Sequence, residues 1–239
     1  MQFNKYDDTE VKLLWSTPNP AEQVTTAIKI TMKKDFLGGK PMSPKVFKSI
    51  LAMGHTSIFE HVLFSFLIVG ASRSFLAQIT RHRIASYTSG SQHYQVYSDY
   101  GSRGHGMIVD DPVYQDAIES SMESYDALIE AGYPPYEARQ VLPNGMENNL
   151  IFTVNARSLI NFLALRLCKR NTAEIKDIAE KIHKIVRTEF PELFDYVGPP
   201  CTLLRDTALL CFPELLNEIG LKAPAWKFCT QGKLSACKK

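Results

Sequence analysis

Apolar residues recur along the chain at two different spacings, which predict a mixture of strands and helices. Strand-like apolar runs occupy residues 11–15, 62–69 and 150–154, and the second run is apolar at nearly every position, as in a strand covered on both faces. Helical patterns occupy residues 20–32, 44–53, 72–83, 112–131, 158–168 and 173–186. Because strands and helices do not alternate regularly, we expect an α+β fold with a mostly antiparallel sheet flanked by helices.

Polar residues near the predicted helix starts indicate how the helices begin. Asn19, Ser57 and Asn171 each stand three positions before a glutamate, which is the spacing of a capping box. Gly54 and Gly132 are placed to end helices. The sequence therefore predicts three side-chain caps, one of them opening the last long helix.

Composition narrows the class of protein. The chain has 239 residues, 45% hydrophobic and 22% charged, which is typical of a globular protein, and no repeat or linker divides it, so we expect one domain over residues 1–239. The formal net charge of +2 excludes phosphate binding driven by gross charge. An odd count of five cysteines without a CxxC pair, and no apolar leader, favours a cytoplasmic protein with reduced thiols and no membrane partner.

A polar array stands at the end of the predicted helix 72–83. Gln78 and Arg81 project away from its apolar stripe, and His82 and Arg83 follow. Arginine binds phosphate or an anionic ring through paired donors, although a solvated helix end has the same composition. The next segment, residues 84–106, is rich in Ser, Tyr, Gly and Gln, and the sequence predicts no regular element there. Loops of this length inside a domain are usually functional or disordered, and the arginines beside this one favour a function.

Two histidines flank a second polar segment, GHTSIFEH. His55 and His61 are six positions apart, with Glu60 as a further potential ligand, and this is not a usual zinc spacing. Packing and helix capping explain the segment more simply, so we expect no metal.

The helix predicted at 158–168 carries polar residues on two faces. If the helix includes the preceding residues, Arg157 and Asn161 lie roughly 40° apart, while Asn155 and Arg166 lie roughly 20° apart on nearly the opposite side. Two polar faces suit a helix at a subunit interface, where each face serves a different shared site. Surface arginines that cover apolar neighbours are the alternative.

Five segments resemble the flavin-dependent thymidylate synthases, in the order of that family, over residues 11–201. The second fits the family signature of Arg-His-Arg, seven residues and Ser, and residues 202–239 form a divergent tail. The joint match is more specific than any one segment. The segments are GHTSIFEH, QITRHRIASYTSGS, ARQVLPN, NARSLINFLALRLCKR and GPPC.

This resemblance implies an enzyme that converts dUMP to dTMP. FAD is the implied cofactor, 5,10-methylenetetrahydrofolate the carbon donor and NADPH the reductant. A homotetramer with active sites between subunits is also implied, and it agrees with the two polar faces of the helix. The family uses no attacking cysteine, and no cysteine falls in the segment around Arg-His-Arg.

The resemblance also implies roles for individual residues. Arg166 matches the arginine thought to bind the uracil edge, where a guanidinium stabilises negative charge without exchanging a proton. The implied FAD contacts are Ser57, Arg81, His82, Arg83, Ser89, Asn155, Arg157 and Asn161. The implied dUMP contacts are Gln78, Arg81, Ser89, Gly90, Ser91, Gln92, His93, Arg139 and Arg166.

Departures from the family pattern concentrate around the expected nucleotide pocket. His93 replaces an arginine found in many members, Ser89 stands where Glu or Gln is usual, and Thr172 replaces a glutamine. These departures leave open the alternative that the chain is a related enzyme acting on UMP or dCMP. A single-stranded nucleic-acid module, in which tyrosines of the 84–106 segment stack bases, is a second alternative that the near-neutral charge disfavours.

Overall fold

The computed structural model describes residues 2–32, 40–97 and 103–199, and these residues confirm the α+β class. The last two residues of the GPPC segment and the tail at 202–239 lie outside the described residues. Within the described part of the chain, no helix is long and apolar enough to cross a membrane.

The main sheet is antiparallel and has four strands in the order β2-β3-β6-β4. The runs predicted at 11–15, 62–69 and 150–154 form β2, β3 and β6, which confirms all three. A short parallel pair, β1 with β5, lies apart from this sheet. The strands are β1 (Gln2–Asn4), β2 (Glu10–Ser16), β3 (Leu63–Ser72), β4 (Ser86–Ser89), β5 (Arg103–His105) and β6 (Glu147–Asn155).

Most helices lie close to the predicted segments, but the helix predicted at 72–83 is wrong at its end, because it stops at Ile79 and Arg81, His82 and Arg83 lie beyond it. The short helices at Pro135–Ala138 and Pro191–Phe194 were not predicted. Short 3-10 turns occupy Tyr6–Asp8, Thr56–His61 and Arg139–Val141. The α-helices are α1 (Pro20–Thr31), α2 (Pro44–Ala52), α3 (Arg73–Ile79), α4 (Pro112–Glu130), α5 (Pro135–Ala138), α6 (Ala156–Arg166), α7 (Ala173–Glu189) and α8 (Pro191–Phe194).

The prediction of no regular element at 84–106 is wrong for two stretches, β4 and β5. Strand β4 extends the sheet at its edge, where Tyr87 pairs with Phe152 of β6 and the two rings stack 5.4 Å apart. Its remaining side chains are small and polar, and two of them are exposed. A strand with one apolar residue gives almost no periodic signal, so the sequence pattern missed it.

The core forms between the sheet and α7. Phe64 and Phe66 of the central strand β3 are fully buried, and Phe64 meets the ring edge of Phe194 at 5.4 Å. Helix α7 adds the apolar stripe Ile175, Ile178, Ile182 and Val186. A smaller cluster, which includes Tyr97, Met122 and Met146, joins α4 to the start of β6.

Two of the predicted side-chain caps do not form. Asn19 precedes α1 but adopts a left-handed backbone with φ of 47° and makes no capping hydrogen bond, because a capping side chain needs an extended backbone. Ser57 lies inside the Thr56–His61 turn instead of before it. Glu60 of that turn pairs with Arg157.

The third predicted cap is also wrong, and its two residues act elsewhere. Asn171 Nδ2 donates to the carbonyl oxygens of Leu165 at 2.7 Å and Cys168 at 3.0 Å, so Asn171 closes the end of α6 instead of opening α7. Glu174 is buried and accepts hydrogen bonds from the backbone N and the hydroxyl of Ser72, both at 2.6 Å. The contact of Glu174 joins segments 102 positions apart in the sequence, which a local capping pattern does not detect.

Ser72 is the point where β3 becomes α3. Its hydroxyl oxygen accepts from Phe75 N at 2.9 Å, while the backbone N–H groups of Arg73 and Ser74 donate to the carbonyl oxygens of Met146 and Asn144. These contacts satisfy donors that a helix start leaves unpaired. The position of α3 is therefore fixed by α7 on one side and by the segment before β6 on the other.

We expect Glu174→Ala to lower the free energy of unfolding by about 2–3 kcal/mol, because it leaves two buried donors of Ser72 without their charged acceptor. Urea denaturation at constant m-value measures the change. Glu180→Ala is the control: Glu180 forms an exposed pair with Lys176 on the same helix, and its loss should cost about 0.5 kcal/mol. Equal losses in the two variants would contradict the structural role of Glu174.

Candidate functional site

Arg166, at the end of α6, is held by neutral partners. Its Nε donates to His82 Nε2 at 3.0 Å, Nη1 donates to Asn171 Oδ1 at 3.2 Å, and Nη2 lies 3.5 Å from the carbonyl oxygen of Gln78. Thr172 Oγ1 in turn donates to Gln78 Oε1 at 3.2 Å. We call these five residues the Arg166 cluster.

His82 is neutral in this cluster. Burial, together with the positive charge of Arg166, lowers its pKa from 6.5 to about 4. Because Nε2 accepts a hydrogen bond, the proton of the neutral ring lies on Nδ1. Through this group, the free energy of unfolding falls as the pH falls from about 6.5 to about 4, since only the unfolded chain then binds the proton.

Tyr87 supports the turn that carries Arg81, His82 and Arg83. Its hydroxyl lies 2.8 Å from the carbonyl oxygens of both Ile79 and His82, and burial raises its pKa to about 12. The ring is stacked on the core, and Tyr97 is buried as well. Two tyrosines of the nucleic-acid alternative are therefore unavailable for stacking bases, whereas Arg81 and Arg83 are exposed.

A second group of polar contacts surrounds the loop after β4. Arg73 Nη1 donates to the carbonyl oxygen of Gly90 at 3.1 Å and to Asn148 Oδ1 at 3.2 Å, and Nη2 donates to Gln92 Oε1 at 2.9 Å. Burial is the main cause that lowers the pKa of Arg73, and the positive charge of Arg139 acts in the same direction. We call Arg73, Gly90, Gln92 and Asn148 the Arg73 cluster.

His93 extends this loop towards Arg139. Its backbone N donates to Ser91 Oγ at 3.1 Å, and its ring stacks on Tyr136 with centroids 5.1 Å apart and planes at 23°. Tyr136 belongs to α5, which leads directly into Arg139. The structure therefore brings Ser91, Gln92, His93 and Arg139, predicted to bind the nucleotide, to one end of α3.

The residues predicted to bind FAD occupy different positions. Asn155 is not part of α6 but caps it, because its Oδ1 accepts from Ser158 N at 2.8 Å. Arg157, in the first turn of α6, forms an ion pair with Glu60. Ser57 and Glu60 line a groove of about 500 Å³ beside α1. Ser89 ends β4, and Asn161 is exposed on α6.

One protomer does not bring all predicted site residues together. Arg157 and Arg166 are nine residues apart on α6, which separates them by about 13 Å along the axis and places them on opposite sides. The expectation of two polar faces is therefore confirmed for these arginines. Among the described residues, no group of three His, Cys, Asp or Glu side chains is arranged to hold a metal ion.

Comparison with known proteins identifies the family. The family model described as thymidylate synthase complementing protein matches residues 12–192. The chain is 35% identical to the flavin-dependent thymidylate synthase of Geobacter sulfurreducens over 209 residues, covering 80% of this chain and 88% of the relative. The chain belongs to the flavin-dependent thymidylate synthase family. A relative from Sulfolobus acidocaldarius is 40% identical over 187 residues, with 75% and 70% of the two chains covered.

Solved structures share the fold of this family member. Thymidylate synthase X from Helicobacter pylori, with FAD and dUMP, superposes with a TM-score of 0.68 at 22% identity, covering 78% of this chain and 97% of that chain. A UMP/dUMP methylase from Streptomyces cacaoi, bound with 5-Br dUMP, gives a TM-score of 0.70 at 22% identity, with 82% and 96% covered. At this identity the likeness concerns the fold.

Sequence reasoning missed three residues that hold the site of this family member. Arg73, Asn148 and Glu174 contact site elements from positions remote in sequence, and their roles depend on pairing that only the folded sheet creates. The buried strand followed by Ser-Arg was a weak signal for a helix that begins at Arg73, since Ser72 is a favourable N-cap. Nothing local distinguished Asn148 within β6.

We expect Arg166→Met to raise the pKa of His82 above its value of about 4 but to leave it below 6.5, because the burial of the ring persists when the positive charge is removed. Titration of the His82 ring resonances by NMR measures the shift. Arg157→Met is the matched control, since it removes an arginine from the other end of the same helix and should leave the pKa of His82 unchanged. Equal titration in wild type and Arg166→Met would contradict the contact.

Proposed function

We propose that this protein catalyses the reductive methylation of dUMP to dTMP, with 5,10-methylenetetrahydrofolate as carbon donor and NADPH as reductant. Family membership supports the reaction class. The observation that carries the proposal is a half-buried guanidinium, Arg166, whose hydrogen-bond partners among the described residues are all neutral.

Arg166 has the properties that the uracil ring requires. Three of its five N–H donors are engaged within the Arg166 cluster, which leaves two for a ligand. Because His82 accepts from Nε without carrying a charge, it orients the guanidinium and leaves its positive charge uncompensated. A fixed cation in a partly desolvated site stabilises negative charge that develops on the pyrimidine. We assign this catalytic role to Arg166.

The remaining nucleotide contacts follow from the loop after β4. The hydroxyl groups of Ser89 and Ser91 and the backbone N–H groups of Ser91 and Gln92 can accommodate a phosphate, and nearby Arg139 supplies a permanent positive charge. Gln78 and Arg81 extend from α3 and the turn that follows it. We propose that these residues bind dUMP.

The donors at the two ends of α6 fit FAD by their chemistry. Exposed Arg81, Arg83 and Arg157 suit the pyrophosphate of FAD. The groove lined by Ser57 and the apolar residues Ile30 and Ile58 suits its planar flavin ring. When bound, FAD supplies the hydride that completes the methyl group. Asn155, Asn161, His82 and Ser89 are the other proposed contacts. Of these, Asn155 fixes the start of α6, and through it Arg157.

We propose that the active sites are shared between subunits of a homotetramer. Arg157 and Arg166 face opposite sides of α6, so a single protomer cannot present both to one compact site. A symmetric assembly in which α6 lies at an interface places Arg157 of one subunit beside Arg166 of another. Each site would then contain donors from at least two chains.

A different pyrimidine nucleotide is the alternative substrate. His93 replaces an arginine with an imidazole, which lacks the planar fork of guanidinium donors, and its ring stacks on Tyr136. The Streptomyces cacaoi neighbour is a UMP/dUMP methylase that has also been solved with 5-Br UMP. UMP is therefore the competitor to test first, followed by dCMP.

Purified protein should show a flavin spectrum and convert dUMP to dTMP in an anaerobic assay with methylenetetrahydrofolate and NADPH. We expect Arg166→Met to lower kcat by at least about 100-fold, since it removes the cation that stabilises the ring. Arg187→Met is the control, because Arg187 pairs with Asp195 away from the site. Methylation of UMP or dCMP without reaction of dUMP would favour the alternative, and a colourless protein inactive with all three nucleotides after FAD addition would reject both.

Sharing of the sites is tested by mixing two inactive variants. Arg157→Met and Arg166→Met subunits, refolded together in equal amounts, should recover roughly a quarter of wild-type activity, because random assembly restores that share of sites. Each variant refolded alone is the control. If one subunit supplied both arginines of a site, the mixture would stay inactive.

A further inference from the structure

Among the described arginines, Arg73 makes the most hydrogen bonds to the loop after β4, which belongs to the proposed nucleotide site. Its backbone N donates to the carbonyl oxygen of Met146 at 2.9 Å, at the fixed start of α3. Its side chain is half-buried and reaches two points of the loop after β4, the carbonyl oxygen of Gly90 and Oε1 of Gln92. The backbone and the side chain of Arg73 are therefore hydrogen-bonded to two separate segments of the chain.

The acceptors around Arg73 are all neutral. Among the described residues, no carboxylate lies within ion-pair distance of its guanidinium, and Arg139 adds a second positive charge nearby. A charge in this position is not explained by a structural ion pair. It holds the loop by hydrogen bonds while the positive potential remains available to an anion.

Asn148 shows that the Arg73 contact determines the local geometry. Its side chain is 4% exposed, and its Nδ2 finds no acceptor among the described residues. A buried unpaired donor is unfavourable, so the orientation that directs Oδ1 to Arg73 must be stabilised by the charged hydrogen bond. Asn148 thereby fixes one Nη1 position of Arg73.

Gly90 is packed directly against this arrangement. A Cβ at Gly90 would lie 2.9 Å from Asn148 Oδ1, closer than real Cβ contacts come. Its backbone N donates to the carbonyl oxygen of Asn149 at 3.1 Å. At the start of the loop, the contacts of Gly90 with Asn148, Asn149 and Arg73 therefore leave no room for a side chain at position 90.

We propose that Arg73 is a positioning residue that sets the conformation of the Gly90–His93 loop for binding the phosphate of the nucleotide. The inference rests on the proposed function for the identity of the ligand, but the contact with the loop is independent of it. The planar fork of the guanidinium reaches Gly90 and Asn148 from Nη1 and Gln92 from Nη2, whereas a lysine would have to reach all three from a single nitrogen. Arg73 acts through the loop and is not itself assigned to the reacting atoms.

Arg73→Met should raise KM for dUMP at least about tenfold, because misplacement of the loop weakens binding without removing Arg166. Hydrogen exchange of the amides of residues 90–93 should accelerate by at least about tenfold, while FAD affinity and the exchange of α7 stay at wild-type values. Arg73→Lys should remain impaired in both measurements, since it keeps the charge but loses the fork. Arg187→Met, which removes an arginine from α7, should change neither.

Gly90→Ala tests the same arrangement with Arg73 intact. The added methyl group must displace Asn148 or the loop, so we expect faster exchange at residues 90–93 and a higher KM for dUMP here as well. Wild-type exchange and KM in Arg73→Met would overturn the inference, as would full activity and exchange protection in Arg73→Lys, which would assign the effect to charge alone. If the wild-type protein did not bind dUMP, the proposed function would fail. The loop contact would still be tested in that case, because unchanged hydrogen exchange at residues 90–93 in Arg73→Met would contradict it.

Discussion

The junction between β3 and α3 is the constraint on which the site depends. Glu174 binds both the backbone N and the hydroxyl of Ser72 at 2.6 Å, so the start of α3 is tied to α7. The next residue, Arg73, is tied through its backbone to the segment before β6 and through its side chain to the loop after β4. Helix α3 then carries Gln78 to its far end, about 7–8 Å away along the axis. One buried carboxylate therefore helps to place both groups of residues proposed to bind the nucleotide.

Arg166 and Arg73 are both held by hydrogen bonds to neutral atoms. Arg166 has a neutral histidine, an amide and a carbonyl oxygen as partners, and Arg73 has two amide oxygens and a carbonyl oxygen. A carboxylate would hold a guanidinium as firmly but would cancel its charge. Neutral acceptors orient the side chain and preserve the positive potential, and this explains how a chain with a net charge of +2 presents strongly cationic positions. Arg157 differs from these two arginines, because it pairs with Glu60 and its charge is already partly compensated.

Long elements of the fold were predictable from the sequence, whereas contacts between remote segments were not. Strands β2, β3 and β6 and most helices have strong periodic patterns, and Arg-His-Arg with Arg166 indicated the site through its resemblance to a family. The capping boxes at Asn19, Ser57 and Asn171 failed because each depends on the backbone at one residue, which tertiary contacts override. Glu174 illustrates the reason: a glutamate three residues after an asparagine has the pattern of a local cap, but its carboxylate binds Ser72, 102 positions away.

Two of the departures from the family pattern, Thr172 and His93, have different consequences. Thr172 donates to Gln78 Oε1, so it helps to hold a residue of the Arg166 cluster in place. His93 has a different environment, because its ring packs on Tyr136 beside Arg139 and belongs to the loop that Arg73 positions. The residues proposed to recognise the pyrimidine ring and those proposed to recognise the phosphate thus lie in separate parts of the structure, at opposite ends of α3. A change in nucleotide affinity that arises from His93 would therefore act through the loop and leave the cation proposed to activate the ring unaltered.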